Sequence, residues 1–244
     1  MTLNSTTTVR EVAAAMPQST RIFEKFKIDY CCGGATPLVE ACANAGVDFE
    51  ELERMIEEAA TAGQQGQATN DFQQTTLPEL IDHIVTTHHC FTRDEMARLQ
   101  PLFDKVVSVH GENHPELRQA NTLFKQLCAD LTPHMFKEEQ ILFPYIVQLA
   151  KAASHKMPAP LAPFGTVNNP VRMMMMEHDL AGEIVRELRA TTNDYTVPPD
   201  VCISYKTLYE ALAAFEQDLH QHIHLENNIL FPRAIKTEDL ACRS

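Results

Sequence analysis

The sequence HMFKEEQILFP at residues 134–144 recurs as HIHLENNILFP at residues 222–232. In both copies a histidine precedes a glutamate by four residues, so the two side chains share one face of a helix. The isoleucine and leucine that follow continue this face and mark it as the buried one. These candidate residues are His134 and Glu138 in the first copy, and His222 and Glu226 in the second.

Buried imidazoles and carboxylates are unfavourable unless something pairs with them. Two His–Glu pairs that face each other across a helical bundle would have a pair of metal ions as their common partner. A single pair at this spacing is more often a hydrogen-bonded pair on the surface. The repetition, with the same apolar tail, favours a buried metal site.

Four long helical patterns follow residue 76, and each has a proline near its start, where the missing N–H costs little. They run over residues 78–107, 115–151, 170–191 and 199–235, and the first contains Pro101, where a break is one option. Four helices joined in sequence predict an all-α fold with an up-down four-helix bundle.

The sequence also predicts a division of the chain into domains. Residues 1–62 carry four short amphipathic patterns, which predict a small helical N-terminal domain. Residues 63–76 are rich in Gln, Gly and Thr and predict a flexible linker. The bundle is expected over residues 77–236.

The remaining long helices each offer one histidine on the apolar stripe. His88 lies on the stripe of the first helix, whereas His83 and His89 are rotated away and are predicted to be exposed. His178 lies on the stripe of the third helix, after a run of four methionines that suits core packing. On the fourth helix, His220 and His224 are predicted to face solvent.

His110 lies 22 residues after His88, which is about 33 Å along a straight helix. The two side chains reach one site only if the chain bends near Pro101 or turns at Gly111. The spacing alone therefore leaves the role of His110 open. His114 and His155 are predicted to lie in loops.

The type of ligand bears on the metal. Imidazoles with bridging carboxylates in a four-helix bundle favour an iron or manganese pair. Zinc sites in proteins favour cysteine and close at four ligands, and no cysteine pair lies beside these positions. Open coordination positions would be available for an oxygen species or NO.

Composition excludes several classes of function. The net charge of −13 and the lack of a Lys/Arg cluster argue against a nucleic-acid partner. No segment is apolar enough for a signal peptide or a membrane span. The seven cysteines are scattered without a CxxC pair, which favours a reducing cytoplasm over a disulfide framework.

The segment DYCCGG at residues 29–34 places Cys31 and Cys32 before a glycine turn between two short helices. Adjacent thiols can form a strained, redox-active disulfide, or can bind a soft metal or a nitrosyl-iron species. The alternative is that the two thiols are simply buried before a glycine turn and take part in no reaction. The other cysteines are interpreted as structural: Cys42, Cys90, Cys128, Cys202 and Cys242.

Together, the Cys-Cys-Gly-Gly segment and the two His-Glu repeats resemble the repair-of-iron-centres family over essentially the whole chain. These are bacterial di-iron proteins that help to restore iron–sulfur clusters after nitrosative or oxidative stress. The resemblance implies a hemerythrin-like bundle with an oxo- or hydroxo-bridged pair of iron ions. The implied ligands are His88, His110, His134, Glu138, His178, His222 and Glu226, with the two glutamates bridging, and Cys31 and Cys32 match the family's N-terminal motif.

The expected function is repair of damaged iron–sulfur proteins by donation of iron, which is not catalysis in the strict sense. Three alternatives remain: an enzyme that reduces NO at the di-iron site, a module that binds O₂ or NO, and a purely structural helical protein. The last is poorly compatible with inward-facing histidines. The resemblance to this family also suggests a homodimer, although no residue pattern in the sequence indicates one.

Overall fold

The computed structural model describes residues 3–4, 6–63 and 72–241, and within these the fold is all-α. The predicted fold class is confirmed. The N-terminal part contains helices α1 (Val9–Ala15), α2 (Ser19–Lys25), α3 (Leu38–Ala45) and α4 (Phe49–Gly63). These short helices share a small core of their own, which includes Val12, Phe23, Leu38, Leu52 and Ile56.

Local chemistry explains where these short helices begin and end. Thr8 and Glu11 form a reciprocal capping box at the start of α1. Asp48 accepts hydrogen bonds from the backbone N–H groups of Glu50 and Glu51 and so caps α4. Gly46 ends α3 with a φ of 67°, in the left-handed region that glycine tolerates.

The bundle consists of four long arms, three of which contain a short π-helix. The first arm is α5 (Leu77–His83), π1 (Ile84–His89) and α6 (Cys90–His110). The second is α7 (Glu116–Lys137), π2 (Glu138–Leu142) and α8 (Phe143–Ser154). The third is α9 (Asn168–Thr191), and the fourth is α10 (Ile203–His224), π3 (Leu225–Leu230) and α11 (Phe231–Ala241).

The first arm does not break at its proline. Pro101 lies inside α6, which continues to His110. A proline removes only one backbone N–H, and the surrounding packing of Leu99 and Phe103, both fully buried, outweighs that loss.

Two apolar clusters fill the bundle, and every arm passes from one to the other. On the first arm, for example, Ile84 belongs to one cluster and Met96 to the other. On the third arm the same change occurs between Met174 and Ala181. The histidines singled out from the sequence fall at or near these crossings, with the exception of His110.

The predicted linker is held at its C-terminal end. The side chain of Arg233 donates hydrogen bonds to the carbonyl oxygens of Phe72 (2.8 Å) and Thr75 (2.6 Å). Residues 64–71 of that linker lie outside the described residues. None of the helices described is both long enough and apolar enough to cross a membrane.

Candidate metal centre

Six buried side chains form two groups that are able to hold a cation each. His89, Glu138, His222 and Glu226 offer ligand atoms that all lie within 4.8 Å of one another. His134, His178 and the same two glutamates form the second group. Both carboxylates belong to both groups, so each group has two imidazoles of its own and shares two carboxylates with the other.

The imidazoles meet in pairs through their Nε2 atoms. The Nε2 atoms of His89 and His222 are 3.0 Å apart, and those of His134 and His178 are also 3.0 Å apart. Their glutamate neighbours are close: the Nε2 atoms of both His178 and His222 lie 3.1 Å from Glu226 oxygens. Four imidazole nitrogens therefore converge on the space between two carboxylates.

Partners on the outer side fix the ring orientation of three histidines. Nδ1 of His89 is 2.7 Å from Glu139, that of His134 is 2.8 Å from Glu177, and that of His178 is 2.8 Å from Asn227. Because these carboxylate and amide oxygens accept the Nδ1–H, the neutral form of each ring would offer the lone pair of its Nε2 atom to a metal. Such outer partners are typical of metal-binding histidines.

One of the two shared carboxylates, Glu138, lacks a hydrogen-bond donor among the described residues. Glu138 is fully buried, and neither of its oxygens accepts a hydrogen bond from any described residue. The Nε2 atoms of His89 and His134 are both 3.4 Å from Oε2 of Glu138. A buried carboxylate in this state requires a positive charge nearby.

Without metal, protons supply part of that charge. Burial alone would lower the pKa of His89, but the carboxylates of Glu138 and Glu226 outweigh it and raise that pKa to about 10. The pKa of His178 rises to about 9, because Glu226 likewise outweighs burial. For Glu226, burial opposes ionisation, yet the facing imidazoles lower its pKa well below the usual range. A bound cation would replace these protons.

The π-helices set which histidine points inward. A π-helix bonds residue i to residue i+5 and so inserts an extra residue into the turn, which shifts everything after it relative to an α-helix. π1 ends at His88 and His89, π2 begins at Glu138, and π3 includes Glu226. Such turns are frequent at functional sites.

The structure brings together five of the seven residues singled out as ligands: His134, Glu138, His178, His222 and Glu226. The prediction for the first helix is corrected. His89, expected to be exposed, is fully buried in the centre, and His88 is buried beside it with its Nδ1 2.9 Å from Asp218. The extra residue of π1 is the physical reason.

His110 does not reach the centre. It ends α6, which runs unbroken from Cys90, so about 30 Å of helix separate it from His89. Its Nε2 instead lies 3.1 Å from the thiol of Cys202, and its ring contacts those of His114 and Tyr205. Its inclusion among the ligands is therefore wrong.

The expected exposure of His224 is also wrong. This side chain is only 3% exposed because the N-terminal helices cover that face of α10, where the Tyr30 ring lies 5.4 Å from the His224 ring. Burial lowers the pKa of His224 to about 4. His220 is partly buried by the same ring, and His83 is partly buried against Phe72. His114 and His155 lie outside the helices, as predicted.

Cys31 and Cys32 are free thiols that lie against the bundle. Their sulfur atoms are 3.9 Å apart, and Cys32 donates to the carbonyl oxygen of His178 at 3.4 Å. A hydrogen bond with Cys32, burial and the nearby Asp29 raise the pKa of Cys31 well above the usual range. The N-terminal motif therefore touches the helix that carries a candidate ligand.

The other cysteines divide into two kinds. Cys42 and Cys128 are buried, which agrees with the structural interpretation. Cys90 and Cys202 are exposed, which corrects it for these two. Cys242 lies outside the described residues.

The donor set fits iron. Two imidazoles and two shared carboxylates for each cation match the carboxylate-bridged metal pairs of helical bundles, whereas structural zinc sites close with cysteine. The residues that sequence reasoning missed are His89 and the outer partners Glu139, Glu177 and Asn227. For His89, the only signal in the sequence was its position next to His88. Helical periodicity does not determine which of two neighbouring histidines points inward.

Comparison with known proteins gives matches over both parts of the chain. The Hemerythrin HHE cation binding domain matches residues 80–234, and a domain of unknown function, DUF542, matches residues 5–60. A probable iron-sulfur cluster repair protein of Haemophilus influenzae is 37% identical over 228 residues, which cover 92% of this chain and 95% of that protein. The iron-sulfur cluster repair protein YtfE of Escherichia coli is 35% identical, with 93% and 96% covered, and that of Shigella boydii gives the same values.

Proposed function

This chain belongs to the hemerythrin HHE family of iron–sulfur cluster repair proteins, and we propose that it repairs such clusters by holding and donating iron. The observation that carries the proposal is the sharing of Glu138 and Glu226 between two groups of buried imidazoles. Two cation positions with common ligands form a store from which one ion leaves while the other stays.

The proposed ligands divide by position. His89 and His222 would hold one iron ion, and His134 and His178 the other, with both glutamates shared. When bound, iron supplies a change of charge between its ferric and ferrous states. The chain's contribution is a buried anionic cage, whose outer partners Glu139 and Glu177 keep the Nε2 atoms of His89 and His134 directed inward.

We further propose that Cys31 and Cys32 handle iron on its way to a damaged cluster. Cys32 contacts the carbonyl oxygen of His178, so the thiols adjoin the helix that holds one cation position. The pKa of Cys31 is raised, which keeps this thiol protonated and unreactive until a soft metal displaces the proton. Free thiols in the described cysteines suit the reducing cytoplasm as the place of action.

Transfer of iron tests the proposal. The iron-loaded protein would be incubated without oxygen with an iron–sulfur dehydratase inactivated by NO or peroxide, and recovered dehydratase activity followed. The control is the double variant His134→Ala/His222→Ala, and Cys31→Ser/Cys32→Ser tests the thiols. Recovery with the native protein alone supports iron donation from the bundle. Absence of recovery, with iron still bound, would contradict it and favour NO or O₂ chemistry at the same residues.

A further inference from the structure

A cleft of about 680 Å³ lies between the N-terminal helices and the bundle, apart from the candidate metal centre. Its N-terminal wall includes α2 and the segment that leads to Tyr30, and its other wall is formed by α9 and α10. A cleft of this size, located where two packed units meet, is typical of sites for small ligands.

The cleft is basic although the protein is acidic. The whole chain has 33 acidic residues against 20 lysines and arginines. The cleft reverses this balance, because only three carboxylates accompany five cationic side chains on its walls: Arg21, Lys25, Lys27, Arg186 and Arg189. A local excess of positive charge attracts anions.

The carboxylates in the cleft are already engaged. Glu216 is buried and accepts hydrogen bonds from the guanidinium group of Arg189 at 2.7 and 3.0 Å. Asp29 accepts from the backbone N–H of Cys31 at 3.0 Å. Glu24 accepts from the Tyr30 hydroxyl at 2.7 Å and from Gln217 at 2.6 Å.

Three of the five cations lack a close carboxylate partner among the described residues. Within the described part of the chain, neither Arg21 nor Lys25 has a carboxylate at ion-pair distance. Arg186 has only a distant pair, 3.6 Å from Asp29, and its side chain is 58% exposed. Lys27, by contrast, is paired with Asp194 at 2.6 Å.

The available cations lie on opposite walls, with Arg21 and Lys25 on α2 and Arg186 on α9. A molecule with two or more negative groups can pair with the cations of both walls at once. We propose that this cleft binds a small polyanion that carries at least two carboxylate or phosphate groups. The planar guanidinium groups of Arg21 and Arg186 suit the paired oxygens of such groups.

The position of the cleft gives the ligand a structural consequence. A polyanion that contacts both walls links the N-terminal helices to the bundle. Asp29 lines the cleft. Its carboxylate also accepts hydrogen bonds from the backbone N–H and from the thiol (3.2 Å) of Cys31. The ligand therefore lies next to the segment that carries the two thiols and stabilises the arrangement in which Cys32 contacts α9.

Isothermal titration calorimetry on the full chain tests the proposal. Citrate and pyrophosphate are the two probes, since they separate a carboxylate ligand from a phosphate ligand, and acetate is the singly charged control. The variants are Arg21→Gln, Arg186→Gln and the double variant. Arg172→Gln is the matched control, because Arg172 is exposed on α9 but does not line the cleft.

We expect one equivalent of citrate or pyrophosphate to bind, acetate to bind far more weakly, and added salt to weaken binding. The double variant should lose affinity by about tenfold or more, with Arg172→Gln unchanged. Equal affinity in the double variant, or no saturable binding of either probe up to about 1 mM, would overturn the proposal. The iron content of each variant is measured separately, so failure here leaves the proposed metal centre untouched.

Discussion

The Nε2 atom of His89 lies 3.0 Å from the Nε2 atom of His222, although 133 residues separate them in sequence. Both rings are almost completely buried, and His89 is oriented from behind by Glu139. The neighbouring His88 turns the other way and pairs with Asp218. Two adjacent histidines therefore have different partners, and we expect this difference to be measurable.

Replacing His89 and His88 separately should give opposite results. His89→Ala removes one of two imidazoles from a cation position, so we expect that position to lose its iron. His88→Ala should keep both irons but lower the free energy of unfolding by about 1–3 kcal/mol, because Asp218 loses a buried partner. Iron per chain and thermal unfolding by circular dichroism measure the two effects. Full iron content in His89→Ala, or loss of iron in His88→Ala, would reverse the assignment.

Gly182 provides space for Cys32. A Cβ atom at Gly182 would lie 3.3 Å from the Cys32 sulfur, which is tighter than ordinary contact. Gly182→Ala should therefore move Cys32 away from the His178 carbonyl and speed its alkylation, while α9 gains about 0.5–1 kcal/mol in helix stability. Mass spectrometry of the alkylated protein, with Gly182→Ala/Cys32→Ser to identify the labelled thiol, measures this. An unchanged alkylation rate would mean that the thiol does not depend on this space.

Cys202 should be a reactive thiol near neutral pH. The hydrogen bond with His110, aided by backbone N–H groups at the start of α10, lowers the pKa of Cys202 to about 7. The lowered value means that the thiolate is present above pH 7 and is lost as the pH falls below it. His110→Ala should move the midpoint of alkylation towards the ordinary thiol value of about 8.5 and slow the reaction at pH 7 by about tenfold.

Alkylation of Cys90, which is also exposed, serves as the internal control for the His110 variant, since its rate should not change. A midpoint of Cys202 that is the same with and without His110 would show that the contact between the two side chains does not control the thiol.

Periodicity in the sequence was sufficient for the helices, because apolar residues repeat along each arm with little interruption. The repeated His-Glu spacing also predicted correctly that His134, Glu138, His222 and Glu226 lie together in the core. These inferences use distances of four residues within one helix. His134 and His222 lie in the last turns of α7 and α10, before π2 and π3, so the α-helical spacing still applies to both pairs.

Predictions over longer stretches of sequence failed where a π-helix interrupts the α-helix. They also failed where another part of the chain covers the predicted surface. π1 adds a residue to the turn and so exchanges His88 for His89. The Tyr30 ring covers His224, which no pattern on α10 can reveal. His110 was included by resemblance, but the unbroken α6 carries it to the far end of the bundle, as the helical rise required.

Outer partners such as Glu177 and Asn227 were not predicted at all. They contact His134 and His178 from other helices, 43 and 49 residues away in sequence. Only the packing of the arms determines which of the many exposed-looking polar residues meets an imidazole. The sequence of one chain does not show which residues of two different helices lie opposite each other.

The sharing of Glu138 and Glu226 between two cation positions is tested most directly by anaerobic titration of the metal-free protein with Fe²⁺, followed by Mössbauer spectroscopy of the oxidised product. The native chain should saturate at two irons with magnetically coupled spins. Glu138→Leu should hold at most one iron without coupling, while Glu183→Leu, an exposed change on α9, should match the native chain. Two tightly held irons in Glu138→Leu, or two uncoupled irons in the native chain, would contradict a shared carboxylate centre.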